Sequence, residues 1–202
     1  MRTKIILIGI FFLTSGLLMA QRNGVRGGAN FTNLYVEDVN DENLKLGLNL
    51  GIWHQTQGND LLAFQSELNF SSKGSEIVYN NFLGSGKYRF NLNYLELPVL
   101  AVFKIGPVHL HAGPYAALLV GSNIKDVDSD GDINNIESLD TDDFNRFDYG
   151  LSGGAACNFE SGMVGARYNY GLREVGKSGS FAGEALDNSK NAGFQIFVAF
   201  DF

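Results

Sequence analysis

Residues 126–137 read Asp-Val-Asp-Ser-Asp-Gly-Asp-Ile-Asn-Asn-Ile-Glu, the spacing of a calcium-binding loop. Asp126, Asp128 and Asp130 take positions 1, 3 and 5, Gly131 takes 6, Ile133 takes 8, Asn134 takes 9 and Glu137 takes 12. Calcium needs six to eight oxygens. Alternate carboxylates with a late glutamate can wrap them round one ion, and a glycine allows the sharp turn. Asp132 adds a further carboxylate. The flanks are predicted strands rather than helices, so the affinity expected is that of weak extracellular sites, about 10⁻⁴–10⁻³ M. The stretch 123–143 holds eight acids and one lysine, a charge of −7. A solvated acidic loop that repels its neighbours stands as the alternative to calcium.

Two other pairs could do chemistry. Glu67 and Glu96 have the residue types of a general acid–base pair, but no nucleophile accompanies them. His109 and His111 share one face of an extended segment at a spacing a metal could use, without an acidic or cysteine partner beside them. Neither pair makes an enzyme on these grounds, and no cofactor is required.

What positions these residues is a chain of period-two segments. Eight can be read, at roughly 25–35, 44–54, 61–72, 87–104, 108–122, 145–158, 162–172 and 193–202. Each is about ten residues or more, the length a tilted strand needs to cross a bilayer. One face is apolar, as in Leu46, Leu48, Leu50 and Ile52, or Phe194, Ile196, Val198, Phe200 and Phe202. The other is small or polar, as in Asp148, Gly150, Ser152, Gly154, Ala156 and Asn158. A water-facing side would be rich in lysine and glutamate. Small residues instead suit the crowded inside of an eight-stranded barrel, so the apolar face should meet lipid.

Alternation then turns Arg26, Glu67, Glu96, Lys104, His109, His111, Asp148, Arg167 and Asp201 inward. Glu67, Glu96 and Arg167 fall at similar depth and are expected to pair, because unpaired charge in a closed lumen is costly. Arg26 and Asp201 are expected to meet where the first and last strands close, and Asp148 to lie level with Arg173. Together they read as a lumen charge network that plugs the barrel. Cys157 faces lipid by parity and serves as a small apolar filler.

Composition agrees. The chain has 202 residues, 45% of them hydrophobic and 18% charged, with 25 glycines and one cysteine. One cysteine excludes a disulfide framework. Arg2 and Lys4, the apolar run Ile5–Leu13 and the stretch ending at Ala20 make a signal peptide over residues 1–20. Residues 21–202 then form one barrel domain. Removing 1–20, which carry two basic residues and no acid, leaves 13 basic and 22 acidic residues, a charge of −9. That excludes nucleic acid as a partner. No later apolar run is long enough for a spanning helix, so membrane entry requires a closed barrel.

Short connections (55–60, 105–107, 159–161) alternate with mostly longer ones (36–43, 73–86, 123–144, 173–192). Outer-membrane barrels have short periplasmic turns and longer external loops. The fold expected is all-β: an eight-stranded antiparallel up-and-down transmembrane β-barrel with a filled lumen and both termini periplasmic. A terminal Phe202 fits its last strand, and Tyr149, Tyr168 and Tyr170 can form one aromatic girdle, with Phe103, Phe159, Phe200 and Phe202 near the other.

Several segments carry a family resemblance. They are Gly27–Phe31, Gln65–Leu68, Tyr94–Leu100, His111–Tyr115 and Asp148–Gly150, in that order. The mature chain resembles the PorT-like outer-membrane β-barrel family. The resemblance implies a barrel in the outer membrane and, from the family's namesake, a link to a secretion system. Its landmarks are structural, so it implies no activity. The expected role is non-enzymatic, structural or accessory, acting through external loops or other envelope proteins, with outer-membrane lipid as the surrounding partner. The alternative is a narrow porin-like channel for small solutes.

Overall fold

The computed structural model describes residues 22–35, 44–56, 58–81, 84–128, 133–139, 141–177, 179 and 189–202. The segment read as a signal peptide, 1–20, lies outside the described residues, as do Asp130 and Asp132. The strands are β1 (Arg22–Tyr35), β2 (Lys45–Gln55), β3 (Leu62–Asn81), β4 (Gly84–Ile105), β5 (Val108–Asp128), β6 (Ile133–Ser138), β7 (Phe147–Phe159), β8 (Gly162–Glu174) and β9 (Lys190–Asp201). All pairings are antiparallel between chain neighbours, except that β5 passes to β7 and β1 meets β9, which closes the sheet. Eight strands form the barrel. β6 pairs only with the upper part of β5, above the point where β5 leaves β7.

The wall is built by alternation. On β4, Leu95, Leu97, Val99, Phe103 and Ile105 are exposed, whereas Tyr94, Glu96, Leu100 and Val102 are buried. Ten residue steps of about 3.3 Å, tilted by about 40°, give an apolar band about 25 Å tall, the height of an outer-membrane barrel's lipid face. Aromatic residues flank it. Tyr149 and Tyr168 are exposed at the long-loop end and Phe103, Phe159, Phe200 and Phe202 at the short-turn end, and Tyr168 packs on Phe194 with ring centroids 4.8 Å apart. A two-residue turn joins β4 to β5. There Gly106 has φ 60°, a conformation that glycine alone adopts cheaply, and Pro107 follows.

The structure departs from the sequence reading at the long-loop end. The connection expected at 73–86 is a continuation of β3 and β4, paired from Lys73↔Leu92 to Asn81↔Gly84. β6 falls inside the connection expected at 123–144. Neither extension alternates apolar with polar residues over its length, so no apolar period marked them. Beyond Ser71 the β2–β3 ladder ends. Side chains then take over the carbonyls of β3. Asn30 Nδ2 donates to Ser72 O (3.1 Å), Lys45 Nζ to Lys73 O (2.8 Å) and Thr32 Oγ1 to Gly74 O (3.1 Å). Gly74 bends the strand there with φ 134°.

Candidate functional site

The candidate site is the lumen and the cap above it. From the short-turn end the first layer is apolar: Trp53, Ala156, Met163, Phe197 and Ala199 pack together and are buried. The Arg22 guanidinium stands 5.6 Å from the Trp53 ring centroid at this end.

Above it lies a charged layer centred on Glu67. Arg167 of β8 reaches across the barrel and donates to both its oxygens, Nη1 to Oε2 at 2.9 Å and Nη2 to Oε1 at 2.8 Å. Arg26 of β1 pairs with Glu67 Oε2 and donates Nη2 to Gln195 Oε1 at 2.6 Å. Gln65 and Asn69 donate to the same carboxylate at 2.6 and 2.9 Å. The face of Phe197 takes part of the remaining positive charge, 4.0 Å from the Arg26 guanidinium and 5.3 Å from that of Arg167. A bidentate, multiply bonded carboxylate is the arrangement in which a buried ion pair recovers its desolvation cost. Two cations and one anion leave this layer formally at +1.

The next charged layer has the opposite sign. Lys73 Nζ lies 2.7 Å from Glu96 Oε2 and 3.9 Å from Asp148 Oδ2. It sits over the rings of Tyr115 and Tyr94, 4.5 and 5.4 Å from their centroids. Asp148 Oδ2 accepts from Tyr115 Oη (3.2 Å) and Asn191 Nδ2 (3.1 Å). One cation and two anions leave −1, so the two layers cancel. Near Asn30, Ser71, Lys73, Asn169 and Gln195 is a cavity of about 10 Å³, room for a single water.

A second apolar layer closes the long-loop end. Leu34, Leu92, Tyr94, Tyr115, Ala117 and Leu119 of the wall pack with Phe144 and Val175 of the connections. Those connections are tied to each other: Phe144 bridges Gly176, Asn145 N donates to Val175 O (2.9 Å), and Val175 N donates to Ser189 O (2.8 Å).

The structure thus brings together Glu67, Arg167 and Arg26, but separates two members of the expected network. Glu96 pairs with Lys73 and not with Arg167. Asp201 pairs with Arg22 at 2.7 Å near the short-turn end, while Arg26 points deeper. Both differences have one source, because strands β1 and β3 run further than the alternation showed. Lys73 continues the inward row Gln65, Glu67, Asn69, Ser71, and that parity is the signal that could have found it. Asp148 is held by Tyr115 and Asn191, while Arg173 donates to Asn145 Oδ1 at 3.3 Å.

His109 and His111 are buried, and His111 Nδ1 lies 3.3 Å from Arg167 Nη2. Among the described residues no three His, Cys, Asp or Glu side chains converge as a metal site requires. Lys104 donates to Asn59 O at 3.4 Å, and Cys157 is exposed on the outer face. Asp126 and Asp128 end β5 and Glu137 lies on β6, where the backbone pairs Asp126 with Asn135 and Ile124 with Glu137.

A closed eight-stranded wall, apolar outside and filled inside, is the architecture of a membrane barrel, and a family model agrees. The model described as an outer membrane protein beta-barrel domain matches residues 19–176. The chain belongs to this family. β9, which closes the wall, lies beyond the matched residues. As a member of it, the chain is an integral protein of the outer membrane. Solved structures are similar to the chain. One is Ail, the attachment invasion locus protein of Yersinia pestis, solved with the heparin analogue sucrose octasulfate. It is 14% identical, with 91% of this chain and 100% of that one covered and a TM-score of 0.51. Another is Neisserial surface protein A, 13% identical, with 91% and 98% covered and a TM-score of 0.48. No protein of curated function matches the chain.

Proposed function

We propose that this barrel is a non-enzymatic structural or accessory protein that acts through its long-loop end, facing outside the cell, with both termini in the periplasm. The observation that carries this reading is the continuous filling of the lumen. Apolar layers close both ends, and bonded charge lies between them. Such a core holds the wall rigid and leaves the surface of the cap and the extended β3–β6 sheet as the parts free to engage others. It argues against the narrow-channel alternative. The landmark segments quoted above support a PorT-like placement within the family, which makes other envelope proteins the expected partners.

The test is the native mass of the full chain after mild detergent extraction of outer membranes, with bound proteins identified. A mass above one barrel plus detergent, with the same partners each time, is expected. Loss of those partners when the exposed cap residues Asp142 and Arg146 are replaced would place contact at the cap. A lone barrel in every extraction would overturn the accessory role.

A further inference from the structure

Basic residues are scarce in this acidic chain, yet three act on one another well above the lipid-facing band. On β4 the outward residues continue past Leu95 as Asn93, Asn91 and Arg89, and on β5 they continue past Val120 to Asn123 and Lys125. Arg89 and Lys125 stand directly opposite in the ladder. Like charges so placed repel. Glu76 offsets one of them, its Oε2 lying 2.6 Å from Arg89 Nε. The third cation, Lys45, is buried in the β2–β3 seam, its Nζ 3.2 Å from Ser72 Oγ, and feels the charge of both others. On the outward face Arg89, Lys125 and Glu76 sum to a formal +1, with the buried Lys45 behind them.

Between band and cations lie amides. Asn91 Nδ2 donates to Asn123 Oδ1 at 2.8 Å, and Asn93 stands one outward position below. Arg89 is six residues from Leu95, about 20 Å along the strand and about 15 Å higher once tilted. An ordinary headgroup layer is only about 5–8 Å thick. The cations therefore sit too high for a simple phosphodiester at the hydrocarbon edge, even with side chains reaching back toward it. They match a phosphate carried on a sugar, whose hydroxyls would meet the amides.

We propose that Arg89, Lys125 and the asparagines below them, backed by the charge of Lys45, dock the phosphorylated sugar headgroup of an outer-leaflet lipid. The proposal rests on the outward placement of the long-loop end argued above, but its test does not. The full chain in detergent is titrated, with bound lipid counted by native mass spectrometry. The probes are a bisphosphorylated diglucosamine lipid, its dephosphorylated form and inorganic phosphate.

The phosphorylated lipid should bind about tenfold or more tightly than the dephosphorylated one, and the double variant Arg89→Gln/Lys125→Gln should lose about that factor. Arg173→Gln/Lys177→Gln, which removes the same charge elsewhere at the long-loop end, should bind as the parent does. Because Arg89 is bonded to Glu76, Lys125→Gln alone is measured as well and should lose severalfold. Equal binding by parent and both Lys125 variants would overturn the proposal. Displacement of the lipid by millimolar inorganic phosphate would also overturn it, by showing a site for the soluble ion.

Discussion

Lys73 and Glu96 meet at 2.7 Å in the long-loop half of the lumen, on adjacent strands, both almost fully buried. Their pairing takes Glu96 away from the Glu67 cluster and splits the buried charge into two layers of opposite sign. Each layer is incomplete alone, and together they are neutral.

Removing one member should therefore be severe. Lys73→Met leaves Glu96 and Asp148 without a cation in a closed lumen, an expected loss of about 3–5 kcal/mol. Urea unfolding of the barrel in detergent measures it. Adding Glu96→Gln should restore much of the loss. Arg22→Gln breaks the partly exposed pair with Asp201 and should cost no more than about 1 kcal/mol. Equal losses at Lys73 and Arg22 would contradict the layered core.

The bend in β3 makes a second prediction. A Cβ on Gly74 would lie 1.9 Å from Phe90 O, at φ 134°. Gly74→Ala should destabilise the barrel by about 1–3 kcal/mol. It should also speed hydrogen exchange along the upper β2 and β3. Gly106 has φ 60° but open space around it, so Gly106→Ala should cost only about 1–2 kcal/mol, with exchange unchanged in β3.

The seam above Ser71 depends on side-chain donors. Thr32→Val removes the bond to Gly74 O and leaves that carbonyl without its donor, for a loss of about 1–3 kcal/mol. Thr32→Ser keeps the hydroxyl and should retain most of the stability in the same unfolding assay. A valine variant as stable as the serine one would show that water replaces the hydroxyl.

The acidic segment is tested separately, since a calcium site there is proposed from spacing alone. Millimolar calcium is expected to slow external proteolysis within 123–143, and Asp126→Asn with Glu137→Gln to abolish that protection. Equal cleavage with calcium and with chelator would leave the segment a solvated acidic hairpin.

Much of the wall was legible because lipid outside and crowding inside impose a strict period of two. Leu46 to Ile52 and Phe194 to Phe202 show it directly. The lumen was legible only in part. Parity turned Glu67, Arg167 and Arg26 inward, but it could not rank partners across a barrel whose strands are tilted and staggered. The strand ends were hidden for a different reason. From Lys73 to Glu76 both faces of β3 are small or polar, so Lys73 stood outside the pattern, and with it the partner of Glu96. The apolar cap at the long-loop end was invisible because Phe144 and Val175 lie in connections without a period.

The most direct measurement is planar-bilayer conductance of the purified full-length barrel. A lumen closed by Trp53, Met163 and Phe197 at one end and by Leu92, Leu119 and Phe144 at the other predicts no current steps above the bare bilayer. Reproducible unit steps from the parent protein, with a constant ion selectivity, would contradict the sealed lumen and return the chain to the channel reading.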